Sequence, residues 1–148
     1  MSDRRESSGA WAVFVLRVVL GVVLFFGGLM KFGIGGGQGY AETVAGLSGM
    51  FQGTWLAGFP SAAFASALPF LEAGLGAMLL AGWRTQLALV LSGLTLAGLT
   101  FGLVVLHNKD LKPDMTLLCL LVDAMALALL DKGNPFSLDA WRASRPTP

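Results

Sequence analysis

Apolar residues in this chain fall into four long runs, over residues 11–32, 62–83, 84–106 and 113–130, separated by short segments of glycine, proline and charged residues. A run of about 18 or more apolar residues is long enough to cross the roughly 30 Å hydrocarbon layer as a helix. The pattern therefore predicts an all-α integral membrane protein, a bundle of four transmembrane helices. Almost nothing separates the second run from the third, so those two helices must form an antiparallel hairpin through Trp83 and Arg84. Between the first and second runs lies a glycine-rich turn, residues 33–39. It is followed by residues 40–59, in which Tyr40, Val44, Leu47 and Phe51 recur at helical spacing. That spacing predicts a short amphipathic helix in the interface or dipping into the bundle. The expected organisation is an N-terminal tail (1–10), a membrane domain (11–132) and a C-terminal tail (133–148).

Several local signals refine this picture. The glycine-rich turn follows a membrane helix rather than a strand and lacks the Gly-Lys-Ser/Thr ending, so it is not a phosphate-binding loop. The first run is too long for a signal peptide and leads into no small-x-small cleavage site, which makes it a retained helix. Pro113 and Asp114 suit the first turn of the fourth helix, where a missing N–H and a negative charge are both tolerated. Arg4, Arg5, Arg84, Lys132, Arg142 and Arg145 fall on the side of both termini, against Lys31, Lys109 and Lys112 on the other. By the positive-inside rule both termini are expected to be cytoplasmic, in a plasma (inner) membrane.

Composition agrees and removes some functions. With 55% hydrophobic and 13% charged residues and a mean hydropathy of +0.70, the chain has too little polar surface to coat a soluble core. Its partner is the lipid bilayer. A net charge of +1 with scattered basic residues excludes a nucleic-acid binder. A single cysteine, Cys119, rules out an internal disulfide or a Cys-x-x-Cys pair. The lone His107 cannot supply paired haem ligands, and no metal-ligand spacing occurs, so no intrinsic metal or cofactor is expected.

The chemistry rests on three ionisable residues inside the apolar runs: Arg17, Glu72 and Asp123. Unpaired in hydrocarbon, each would cost about 2.5 to 3.5 kcal/mol, so they should face one another or water. At about 1.5 Å per residue, Arg17 lies roughly 9 Å beyond Trp11, Glu72 roughly 16 Å from Trp83 and Asp123 roughly 12 Å from Asp131. These depths predict an Arg17–Glu72 pair within one half of the bilayer, joined by Asp123. Such a cluster either pins the helices together or lines a polar pocket. In a pocket, a carboxyl able to exchange a proton suits quinone head-group binding, or a proton or small-solute pathway. Lys31, Arg84 and His107 are secondary candidates at the helix ends. The two charged runs also echo each other, Leu16-Arg17-x3-Gly21 and Leu71-Glu72-x3-Gly76, as chance in leucine- and glycine-rich sequence would also allow.

In residues and order, Leu16-Arg17-x3-Gly21 with Gly28-Leu29-x-Lys31-Phe32 resembles the DoxX family of four-helix membrane proteins. Pro69-x2-Glu72-x-Gly74 with Leu79-Leu80-x-Gly82-Trp83-Arg84 is similar to the same family, as is the closing Asn134-Pro135-Phe136-Ser137-Leu138-Asp139. The resemblance implies a small subunit of a quinone-linked oxidoreductase, with Arg17, Glu72 and Arg84 on recurring charged positions. The chain departs at Pro113-Asp114, where such relatives commonly carry Glu. The expected function is an accessory, quinone-interacting subunit of a membrane oxidoreductase complex, associated with other subunits or with itself. Catalysis by the isolated chain is not expected, because no redox centre is visible in its sequence. The alternatives are a small-solute or proton-conducting transporter and a non-catalytic scaffold.

Overall fold

The computed structural model describes residues 2–106, with side chains from residue 11, and residues 120–124, 126, 127 and 139. Its elements are α1 (Ser2–Met30), a short 3-10 turn (Ile34–Gly36), α2 (Tyr40–Met50), α3 (Phe59–Ala81) and α4 (Thr85–Leu106). No strand occurs among the described residues. Three segments, Trp11–Met30, Phe59–Ala81 and Thr85–Leu106, are long and apolar enough to span a bilayer. The protein is therefore an all-helical membrane protein. The first helix starts at Ser2, nine residues ahead of the apolar run, so the predicted N-terminal tail continues the helix. Residues 120–124, 126 and 127 are helical, within the expected fourth span, most of which lies outside the described residues.

Buried positions explain which faces meet. On α3 they are Ser61, Ala65, Leu68, Pro69, Glu72, Leu75, Gly76 and Leu79, one stripe at helical spacing. On α4 they are Thr85, Ala88, Leu89, Ser92, Thr95, Leu96 and Gly102. Leu20, Leu24, Leu79, Ala88, Leu89 and Leu96 form a core cluster joined by Ala124 and Leu127. The opposite faces expose Val, Leu and Phe, as a bilayer solvent requires.

Lipid tails are as apolar as leucine, so burial alone does not bring such helices together; close packing at small residues does. The tightest approach is between α1 and α3. A Cβ on Gly28 would lie 2.5 Å from the Ala73 backbone nitrogen, and one on Gly76 would lie 2.3 Å from that of Phe25 and 2.8 Å from the Gly21 carbonyl oxygen. Gly21 in turn faces Leu79 and Leu80. Each step down α1 is matched by a step up α3, an antiparallel register. The two glycines of the sequence echo, Gly21 and Gly76, thus meet across this interface. By contrast, Gly98 and Gly102 of α4 face the rings of Phe64 and Phe51 rather than another helix backbone.

The α3–α4 hairpin is as tight as the sequence predicts. Gly82, left-handed at φ 66°, ends α3: its N–H donates to the Leu79 carbonyl and that of Trp83 to the Met78 carbonyl. Arg84, at φ 46°, then redirects the chain into α4. Asp139 closes the turn from afar. Its carboxylate accepts the Thr85 N–H at 3.0 Å and its own N–H donates to the Gly82 carbonyl at 3.4 Å. Capping a helix N-terminus with an aspartate contributes about 1 kcal/mol. Asp139→Ala is therefore expected to lower stability by about 1 kcal/mol, measured by thermal unfolding in detergent, whereas Asp139→Asn keeps most of it.

Candidate functional site

Lys31 stands one residue beyond α1, where the chain turns through Lys31 N–H to the Gly28 carbonyl (3.1 Å) and Gly33 N–H to the Met30 carbonyl (3.0 Å). Gly37 then folds back onto this last turn. A Cβ at Gly37 would sit 2.0 Å from the Met30 carbonyl oxygen, so only glycine permits the approach. The turn lays α2 across the end of α1 and against α3. Two hydrogen bonds hold it there: the Thr43 hydroxyl donates to the Lys31 carbonyl (3.4 Å) and the Tyr40 hydroxyl to the Ser66 carbonyl (3.3 Å). Phe32 stacks on Tyr40 at 5.8 Å, and Phe70 meets both rings edge-on.

At this junction the Lys31 ammonium donates to Glu72 Oε2 and, at 3.4 Å, to the Gly27 carbonyl. The Glu72 side chain is 8% exposed and that of Lys31 27%, so the carboxylate is the enclosed partner and the ammonium the accessible one. The pair stands at one end of a partly open cavity of about 280 Å³. Along α3 the cavity is lined by Ser61, Phe64, Ala65, Leu68 and Glu72, a stripe on one helix face. α4 contributes Leu99, Gly102, Leu103 and Leu106, and Leu47, Met50 and Phe51 close it from the α2 side. A wider vestibule of about 700 Å³ adjoins it across Lys31, Leu47 and Met50. An apolar chamber with one charged, hydrogen-bonding end is the usual make-up of a small-molecule site, and its size suits a single-ring group.

The expected Arg17–Glu72 pair does not form; Glu72 pairs with Lys31. Register is the reason. The depth argument set Trp11 level with Trp83, but the glycine contacts of α1 and α3 bring Arg17 itself level with the Trp83–Arg84 turn. Glu72 is then about twelve residues, roughly 18 Å, farther along α3, beyond an arginine's reach. Arg17 is nonetheless buried, at 2% exposure, with its guanidinium 5.4 Å from the Phe14 ring centroid. Arg17, near the middle of α1, and Glu72, at Lys31 just beyond its C-terminal end, thus stand at different levels of the helix. Arg84 is exposed in the hairpin turn, and Asp123 is half-buried on the helical stretch 120–124. His107 lies outside the described residues. No group of three His, Cys, Asp or Glu side chains that could hold a metal occurs among the described residues.

On sequence alone Lys31 is a secondary candidate, and Thr43, Ser61, Phe64 and Phe51 do not stand out as lining. A usable signal was present: Ser61, Phe64, Ala65, Leu68 and Glu72 fall on one helical stripe that ends in a carboxylate.

Residues 9–114 match the family model described as methylamine utilisation protein MauE. The chain belongs to the MauE family. All of α2, α3 and α4, the Lys31–Glu72 pair and the whole cavity lining fall inside the MauE match. This corrects the resemblance to the DoxX family: the residues of the first two runs that carried it, among them Arg17, Gly21, Gly28, Lys31 and Glu72, lie in the segment that MauE accounts for, and only the closing 134–139 falls outside it. Glycines for close helix approach and a buried charge with a partner are what any compact membrane bundle needs, so such short patterns do not separate one family from another. No curated protein and no solved structure matches the chain.

Proposed function

We propose that this protein is a membrane accessory subunit of methylamine utilisation that binds a quinone head group in the cavity closed by Lys31 and Glu72. The family supports the first half of this reading. The observation that carries the second is the part-buried ion pair at one end of a largely apolar chamber of about 280 Å³. A quinone ring offers carbonyl acceptors to the Lys31 ammonium and a flat apolar body to Phe64, Leu68 and Leu99. Quinone reduction takes up protons with electrons, and the carboxylate beside the ring provides a group to exchange them. With one cysteine and one histidine in the chain, electrons come from a partner subunit.

The same reading includes a fourth crossing and an orientation. Leu106 ends α4 at the end of the bundle where α3 begins, whereas Asp139 is bonded at the opposite hairpin end. A return through the bilayer between them is supported by the buried Ala124 and Leu127. Arg4 and Arg5 at the start of α1 and Arg84 in the hairpin turn fall at one end, where Asp139 is also bonded, against Lys31 at the other, which supports a plasma membrane protein with both termini in the cytoplasm.

Two measurements test this function. Mass spectrometry of the gently solubilised protein is expected to find about one quinone per chain, lost in a folded Glu72→Gln variant. Cells lacking the chain are expected to lose growth on methylamine as sole nitrogen source while growing normally on ammonium. Ordinary lipid alone in the first, or unchanged growth in the second, contradicts the corresponding half.

A further inference from the structure

The cavity has a second neighbour. A space of about 190 Å³, lined by Leu56, Pro60 and Phe101 among others, adjoins it across Phe51, Ser61, Phe64 and Gly102. Pro60 and Phe101 are exposed on the outer surface of the bundle, the surface that the bilayer covers. The partition between the two spaces is thin. Phe64 and Phe51 rest directly on the backbone of α4, because their rings approach positions 98 and 102, where α4 carries no side chain. A Cβ on Gly102 would lie 3.1 Å from the Phe51 ring, and one on Gly98 would lie 3.4 Å from that of Phe64. The partition is thus made of two side chains, which turn about their own χ angles, rather than of helix backbone. Apart from one hydroxyl, the lining is apolar. Its one hydroxyl, on Ser61, already donates to the Gly58 carbonyl at 3.0 Å.

We propose that the ligand of this cavity is a long-tailed prenyl quinone, whose ring sits at Lys31–Glu72 and whose tail leaves sideways into lipid past Phe51 and Phe64 at Gly98 and Gly102. This rests on the head-group reading above and adds the class of ligand and its route. A chamber of about 280 Å³ holds a ring but not a full tail, so the tail must leave it. The vestibule route passes the Lys31 ammonium, whereas the Gly98–Gly102 route offers apolar and aromatic walls. An apolar side exit serves a ligand dissolved in the bilayer, and nothing about it favours a water-soluble solute.

The experiment compares binding of a full-length prenyl quinone with binding of the same ring lacking a tail, in wild type and in Gly98→Leu, a position that lines the outer space and not the ring cavity. The variant fills the outer space and leaves every residue that lines the ring cavity, Lys31 and Glu72 included, in place. The expected result is a Kd for the tailed quinone raised about tenfold or more, with the tail-free ring bound within about twofold of wild type. Should Gly98→Leu not fold, Leu56→Trp fills the outer space from its other wall and carries the same expectation. Equal effects on both ligands, or none on either, overturn the tail route. In the case of no effect the head-group site survives. A wild-type protein that binds neither quinone overturns the head-group reading and this one with it.

Discussion

Gly76→Ala is expected to lower stability by about 3 kcal/mol, the upper part of the range for forcing extra volume into a packed core. The new methyl group would lie 2.3 Å from Phe25 N and 2.6 Å from Phe25 Cα. Both are backbone atoms of a helix, so no rotamer change can clear the overlap and α1 and α3 must separate. Separation weakens the packing along the interface, and in a bilayer packing is what holds helices together. It also pulls at the Lys31–Glu72 pair one turn away. Gly28→Ala, with its Cβ 2.5 Å from Ala73 N, should behave alike. Gly74→Ala and Gly93→Ala meet nothing within 4 Å and are expected to be near neutral. Thermal unfolding of the four variants in detergent ranks them; equal values for Gly76→Ala and Gly74→Ala would show that the helices do not touch at Gly76.

The second large effect concerns the ion pair, and it is asymmetric. Lys31→Met leaves the Glu72 carboxylate enclosed without its ammonium, whereas Glu72→Gln leaves a lysine that can turn into the vestibule it already lines. Removing one partner of a buried pair costs about 3–5 kcal/mol; with Lys31 27% exposed, about 2–3 kcal/mol is expected for Lys31→Met. Glu72→Gln should cost about 1 kcal/mol. Replacing both by apolar residues of similar size, Lys31→Met with Glu72→Leu, removes the charges together and is expected to return stability to within about 1 kcal/mol of wild type. A double variant as unstable as the sum of the single changes would mean that each residue is held by something other than its partner.

Much of this architecture is legible in the sequence, for definite physical reasons. The bilayer demands long apolar helices, so the three described spans end within a few residues of their predicted bounds. Gly82 and the following Trp83 and Arg84 leave no room for anything but a tight hairpin. Helical spacing of Tyr40, Val44 and Leu47 marks α2, although the helix stops at Met50 where the spacing alone would carry it further. Charge pairing was not legible, because it depends on the axial register of α1 against α3. That register is set by three-dimensional contacts of Gly21, Gly28 and Gly76, and hydropathy is silent on how one span slides along another. A shift of six residues, about 9 Å, is enough to exchange Arg17 for Lys31 as the partner of Glu72. Family membership was misread for a related reason. Residues chosen by packing and charge burial recur wherever helices pack in a membrane.

Lys31 and Glu72 are proposed as the polar end of a binding site rather than a clamp between helices. Titration of a tail-free quinone into wild type and into the Lys31→Met/Glu72→Leu double variant tests it most directly, because the variant is expected to keep the fold while losing the polar end. Saturable binding by wild type with none by an equally stable double variant is the predicted result. Equal binding by the two proteins would contradict it and reduce the pair to a structural contact.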